Sequence, residues 1–234
     1  MTTIADLLER PVYAIPQVDG LLGLNPGTAR RWIEGYRRGS KAYPPIVRIE
    51  ATADDSVTWG EFVETRLLRE YRDLGAHVRL MRPAVEKLRE EFNTKYPLAY
   101  ARPYLDVDGR ELVRRIQDEV HLDKRVTLVT VRNNQLILTP QAERFVSSVD
   151  FHATEGIVER VHPAPDLKEV VMDPLRQFGE PVVRSVRTDI IAEQMRAGDS
   201  MEMIAELYEL SSIQVEAAVR FELIRGKPVM ETAA

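Results

Sequence analysis

Six bases between Pro26 and Arg48 are the residues of this chain best suited to chemistry. Arg30, Arg31, Arg37, Arg38, Lys41 and Arg48 face a single acid, Glu34, for a local net charge of +5. Guanidinium and ammonium groups at that density bind phosphates, and an arginine can also donate twice to the edge of a guanine. A solvated basic face is the competing reading of the same charges. The rest of the chain leans the other way. From Val126 onward 11 bases meet 17 acids, net −6, within an overall charge of −5. One end suits a polyanion and the other repels it.

Other chemistries find little to work with. The 234 residues contain no cysteine, which excludes disulfide scaffolds, thiolate zinc sites, iron–sulfur clusters and cysteine nucleophiles. His77, His121, His152 and His162 lack the spacing of metal ligands. Asp106 and Asp108 read as turn or cap residues rather than a metal pair. No glycine-rich phosphate loop or nucleophile elbow is present. The expectation is a protein that is not an enzyme and uses no cofactor or metal. No apolar run approaches the roughly 20 residues of a membrane span. Met1 to Asp6 lacks the basic start and apolar stretch of a signal peptide. A cytoplasmic location with no membrane partner is therefore expected. At 44% hydrophobic and 29% charged residues, the composition is that of an ordinary globular protein.

The basic residues must be held by local elements, and the sequence supplies signals for them. Val18, Leu21 and Leu22 fall at helical spacing behind Pro16, with Gly23 as the stop. Asn25-Pro26 then reads as an N-cap and first turn for a second helix. Two short helices with a tight connection make a helix-turn-helix. At 100° per residue, Ala29, Trp32 and Ile33 share the inner side of the second helix, with Trp32 as core. Gly27 and Arg31 lie opposite, flanked by Thr28 and Arg30. Arg31 is the candidate for a base edge, Thr28 and Arg30 are candidates for phosphate, and Gly27 permits close approach. Glu34 points outward in this reading, restrained by Arg30 four residues earlier. Arg37-Arg38-Gly39-Ser40-Lys41 forms a basic turn between extended segments, with Arg37, Arg38 and Lys41 on the phosphate backbone.

Downstream, Thr58 to Glu61 is a capping box opening a helix whose stripe is Val63, Leu67, Tyr71 and Leu74. The Val78–Phe92 segment carries a further helix bent at Pro83. The succession of helix-turn-helix, basic wing, capped helix and Leu74-Gly75-Ala76-His77-Val78-Arg79-Leu80-Met81 resembles MerR-type DNA-binding domains. That resemblance implies a dimer reading two half-sites. The chain departs from the MerR plan where Tyr96-Pro97-Leu98 and Arg102-Pro103-Tyr104 stop any long coiled-coil helix.

The middle turns partly to strands. A hairpin is predicted from Val126–Val131 and Gln135–Leu138 about Arg132-Asn133-Asn134, and a further strand at Gly156–Val161. Asp108-Gly109-Arg110 is read as a turn before a helix at 111–119. The proline-rich stretch Val161 to Asp166 is the best boundary. In the tail, helices are expected at 189–197, 200–207 and 211–224, sharing a core of Ile204, Leu207, Val215, Ala218 and Val219. From Ser200 to Glu222 five acids accompany one base, Arg220, so this unit is read as binding protein rather than DNA.

Asp173-Pro174, Phe178-Gly179, Pro181-Val182, Arg187, Ala197-Gly198-Asp199-Ser200, Ile204-Ala205, Val215 and Ala217-Ala218 resemble a small domain of antitoxins. Together with the basic head they resemble VapB-type antitoxins, departing from the pattern at Glu180 and Ser185. The resemblance implies a PIN-domain ribonuclease toxin as partner, operator DNA as a second ligand, and a homodimer. It also makes Arg220, Arg225 and Lys227 candidates for the toxin's acidic active site. The expected fold is mainly α (α+β). It comprises a winged helix-turn-helix at 1–98, a small β-containing middle at 99–165 and a three-helix, helix-turn-helix-like domain at 166–234. A stand-alone MerR-like regulator sensing a small ligand is the alternative.

Overall fold

The structure, a computed structural model, describes residues 4–225. The chain is mixed α+β, about half helical, with small antiparallel sheets. It resolves into two compact units that divide between Glu159 and Arg160.

The first unit opens with β1 (Pro11–Ala14) and α1 (Ile15–Leu21), followed by α2 (Thr28–Ile33). A hairpin of β2 (Tyr36–Arg38) and β3 (Lys41–Tyr43) comes next, then β4 (Ser56–Thr58) and α3 (Trp59–Arg72). Proline at the start of α1 costs nothing, because the first turn has no N–H partner to lose. The α2 helix does not start at the expected Asn25-Pro26 cap. Its cap residue is Gly27, in the left-handed region at φ +79°, and the capping oxygens come from α1. Asp19 Oδ2 accepts from Gly27 N–H and Asp19 Oδ1 from Ala29 N–H, each at 2.7 Å. One buried carboxylate thus satisfies two orphan donors and ties the helices together.

The capping box at α3 forms as its sequence predicts, with Thr58 and Glu61 exchanging side-chain and backbone bonds. Val63, Leu67 and Tyr71 are fully buried, but Leu74 lies past the helix end and is 58% exposed. Antiparallel pairing of β1 with β4 brings the chain's start against the α3 N-terminus.

A 3-10 turn at Val78–Met81 leads into α4 (Arg82–Phe92), then α5 (Arg102–Leu105) and α6 (Val107–Glu119). Asp108-Gly109-Arg110 is the first turn of α6 rather than a turn preceding it. The hairpin of β5 (Val129–Arg132) and β6 (Gln135–Leu138) turns at Asn133-Asn134, both at positive φ. Its first strand starts three residues later than expected, because Lys124–Val126 forms a 3-10 turn. After α7 (Pro140–Ser147) come β7 (Val149–Phe151) and β8 (Val158–Val161). α3 packs on α7, Tyr71 Oη donates to Thr127 O at 2.9 Å, and Trp59 Nε1 donates to Val158 O at 2.8 Å. The stretch after residue 99 therefore shares its core with α3.

The second unit is not helices alone. β9 (Val170–Val171), β10 (Val182–Val183) and β11 (Val186–Arg187) form a three-stranded antiparallel sheet in the order β11-β10-β9. α8 (Thr188–Ala197), α9 (Met201–Tyr208) and α10 (Ser212–Arg225) follow. Ser200 caps α9, and Ser211 with Gln214 forms a reciprocal box at α10. Val170, Val183, Ile191, Ile204, Val215, Ala218 and Phe221 make the core. Val219 is half-buried against it, whereas Leu207 is 63% exposed. No described helix is long and apolar enough to cross a membrane.

Candidate nucleic-acid interface

Arg48 leaves the basic cluster altogether. It is buried, and its guanidinium pins three segments. Nε donates to Glu61 Oε1 at 2.7 Å, and Nη1 donates to Glu34, to Thr52 Oγ1 at 2.6 Å and to Asp54 O at 2.8 Å. Glu34 therefore turns inward rather than outward, accepting also from the N–H groups of Thr52 and Ala53 at 2.9 Å. Burial alone would raise the Glu34 pKa. The bonds from Ala53 and Thr52 and the Arg48 charge hold it below the usual carboxylate value. With Glu34 so engaged, Arg30 pairs instead with Asp55 at 2.5 Å across solvent, a contact worth little stability.

The other candidates remain at the surface. Ala29, Trp32 and Ile33 face the core as their rotation on α2 predicts, leaving Arg31 exposed. Arg31 Nε donates to Gly27 O at 3.1 Å, which steers the side chain along its own helix. Thr28 is buried at 7% exposure, so α2 offers chiefly its arginines to the solvent side. A Cβ on Gly27 would meet nothing within 4 Å. The backbone conformation is thus the local demand for glycine there, and it leaves the surface at the helix start bare.

The hairpin register sets the remaining charges. Tyr36 pairs with Tyr43, Arg37 with Ala42, and Arg38 with Lys41. Alternation along the strands puts Arg38 and Lys41 on the same face as the stacked Tyr36–Tyr43 rings, whose centroids are 4.6 Å apart. Arg37 lies on the other face. Directly opposed like charges destabilise a hairpin, so Arg38 and Lys41 form a pair whose repulsion a bound anion would relieve. Lys41 Nζ sits 5.3 Å from the Tyr43 ring centroid. Gly35 fixes where this hairpin leaves α2. At φ +73°, a Cβ there would come within 2.5 Å of Tyr43 O. Among the described residues Arg31, Arg37, Arg38 and Lys41 make no ion pair.

In the second unit, Arg220 pairs with Glu216 at 3.6 Å and Arg225 with Glu222 at 3.4 Å, each within α10. Lys227 lies outside the described residues. Leu207, expected in the core, instead lies with Met203 four residues earlier on the outer face of α9, at 63% and 58% exposure. Ile213, at the start of α10, is 67% exposed. Isolated exposed apolar residues are common, but here the helical spacing of 203 and 207 was a usable signal.

Residues 170–221 match the family described as Protein of unknown function (DUF433). The uncharacterized protein Rv2308 of Mycobacterium tuberculosis is 38% identical over 226 residues, covering 94% of this chain and 93% of that protein. The chain belongs to the same family as Rv2308. A protein of the same organism named putative antitoxin VapB45 is 25% identical over 225 residues, covering 89% and 92%. Among solved structures, that of Rv2018 from M. tuberculosis matches with a TM-score of 0.71 and 20% identity, over 89% of this chain and 97% of that one. The last likeness shows a shared fold.

Proposed function

We propose that the chain is an antitoxin that neutralises a PIN-domain ribonuclease by binding it and represses its own operon by binding promoter DNA. The observation that carries this reading is the likeness along nearly the whole chain to a protein named putative antitoxin. In this proposal α1, α2 and the β2–β3 hairpin act as a winged helix-turn-helix. Arg31 reaches a base edge from α2, while Arg37, Arg38 and Lys41 hold the backbone and Arg30 exchanges Asp55 for phosphate. A homodimer would present two such heads to two half-sites.

The second unit takes the protein partner. Its exposed Met203, Leu207 and Ile213 stand among Glu202, Glu206 and Glu209. That mixture suits a protein surface and repels DNA. Arg220 and Arg225 are the cations there that would trade their own glutamates for the acidic active site of the ribonuclease, with Lys227 as a third.

Affinity purification of the full chain from its own cells, with mass spectrometry of what co-elutes, tests the proposal. A stoichiometric small ribonuclease is expected. A dimer that binds DNA and elutes without a protein partner would replace this reading with a stand-alone regulator.

A further inference from the structure

A cleft of about 310 Å³ opens in the first unit beside α2, the β2–β3 hairpin and the turn after α3. Trp32 and Tyr43 line it, and so do Arg31, Arg72, His77 and Arg79, while no aspartate or glutamate does. The three guanidinium groups reach it from different segments. Arg31 comes from α2, Arg72 from the last turn of α3, and Arg79 from the 3-10 turn at Val78–Met81. Arg79 is held against the Tyr43 ring, 5.5 Å from its centroid. Arg72 has one weak carboxylate neighbour, Asp73 at 3.9 Å, and that carboxylate sits closer to Arg69 at 3.3 Å. The Arg31 Nε bond to Gly27 O leaves its terminal nitrogens as donors.

Three arginines gathered round one concavity repel each other in the absence of a counter-charge, and a concave site with low-dielectric walls strengthens that field. A phosphate relieves it best, since its oxygens accept from several guanidinium groups at once. The aromatic wall adds an apolar surface for the rest of the ester. We propose that this cleft is a phosphate-binding site, with Arg72 and Arg79 as donors beside Arg31. The phosphate has two possible sources with the same chemistry. One is the backbone of duplex DNA, in which case the inference rests on the DNA-binding reading above. The other is a free nucleotide, which does not depend on that reading.

The test uses the full chain and an Arg72→Ala/Arg79→Ala double variant, whose thermal melting should match wild type because both side chains reach the surface. Adenosine 5′-monophosphate is titrated by calorimetry, and a promoter duplex by fluorescence anisotropy over a range of salt. If the source is a free nucleotide, the monophosphate binds wild type and the double variant loses at least about tenfold in affinity. If the source is DNA, the monophosphate does not bind. The salt slope for the duplex then falls by about 2 in the double variant, near one unit per lost phosphate contact. The proposal is overturned if the double variant matches wild type with both probes, or if wild type binds neither. A wild type that binds the duplex with a slope the variant leaves unchanged, and ignores the monophosphate, sinks the cleft and spares the DNA-binding reading. A wild type that binds the monophosphate but not the duplex does the reverse.

Discussion

Each unit of this protein carries a pair of short, closely connected helices, and their surfaces are built in opposite ways. In α1 and α2 the acids are inside. Asp19 is buried as a cap, Glu61 is buried and half-buried Glu34 turns inward around Arg48, and the exposed side is left to Arg31 and the hairpin bases. In α9 and α10 the acids are outside, alongside exposed Met203, Leu207 and Ile213. The same local geometry thus leaves bases on the surface of one unit and acids with apolar side chains on the surface of the other. Which carboxylates fold inward makes the difference.

The strongest way to break that comparison is to remove the pin that draws the first unit's acids inside. Arg48→Ala leaves Glu34 and Glu61 without their shared cation. It should cost about 3–5 kcal/mol, the range for breaking a buried pair, read as a lower denaturation midpoint. A loss under about 1 kcal/mol would mean the cluster is effectively a surface one. Asp19→Ala removes both caps on α2. It should cost about 1–3 kcal/mol and weaken DNA binding through the displaced helix, while partner binding by the second unit persists.

pH should also separate the units. Burial pushes the Glu64 carboxyl up to about 8, against the opposing pull of Arg89 and the Leu98 N–H. Its folded value lies above the unfolded one, so its contribution is full below about pH 4.5 and is lost as pH rises through about 8. In the second unit, burial of Asp189 is outweighed by Arg187, which holds its pKa below the usual value. That contribution is present above the ordinary carboxylate range and is lost on acidification. Melting between about pH 5 and 8 should therefore fall more steeply for wild type than for Glu64→Gln. Equal slopes for the two would remove Glu64 from the account.

The smallest effects sit at the face proposed to take DNA. Arg31→Ala should cost about 1–3 kcal/mol of DNA affinity and relax sequence preference. Arg37→Ala or Arg38→Ala should weaken all sequences evenly and lower the salt slope by about 1. If Arg31 and the hairpin variants behaved alike, α2 would not be the reading element.

What the sequence disclosed was local. The capping box at Thr58, the Ser200 cap, the Asn133-Asn134 turn and the inner face of α2 all depend on residues within four positions of each other. The Asp19 cap was hidden because its partners stand eight and ten residues away on another helix. Arg48 read as one more surface base, since nothing local shows that Glu34 and Glu61 close on it from 14 and 13 residues away. β1 and β4 escaped notice because strands of four and three residues carry almost no alternation. Arg72 and Arg79 were missed because folding, rather than spacing, brings them beside Arg31.

The division of labour between the two surfaces is tested most directly by crossed variants of the full chain. DNA affinity and retention of the ribonuclease proposed as partner would be measured on Arg37→Glu/Arg38→Glu and on Met203→Glu/Leu207→Glu. The account predicts that the first loses DNA and keeps the ribonuclease, and that the second keeps DNA and loses the ribonuclease. Loss of both ligands in either folded variant, or of neither in both, would contradict it.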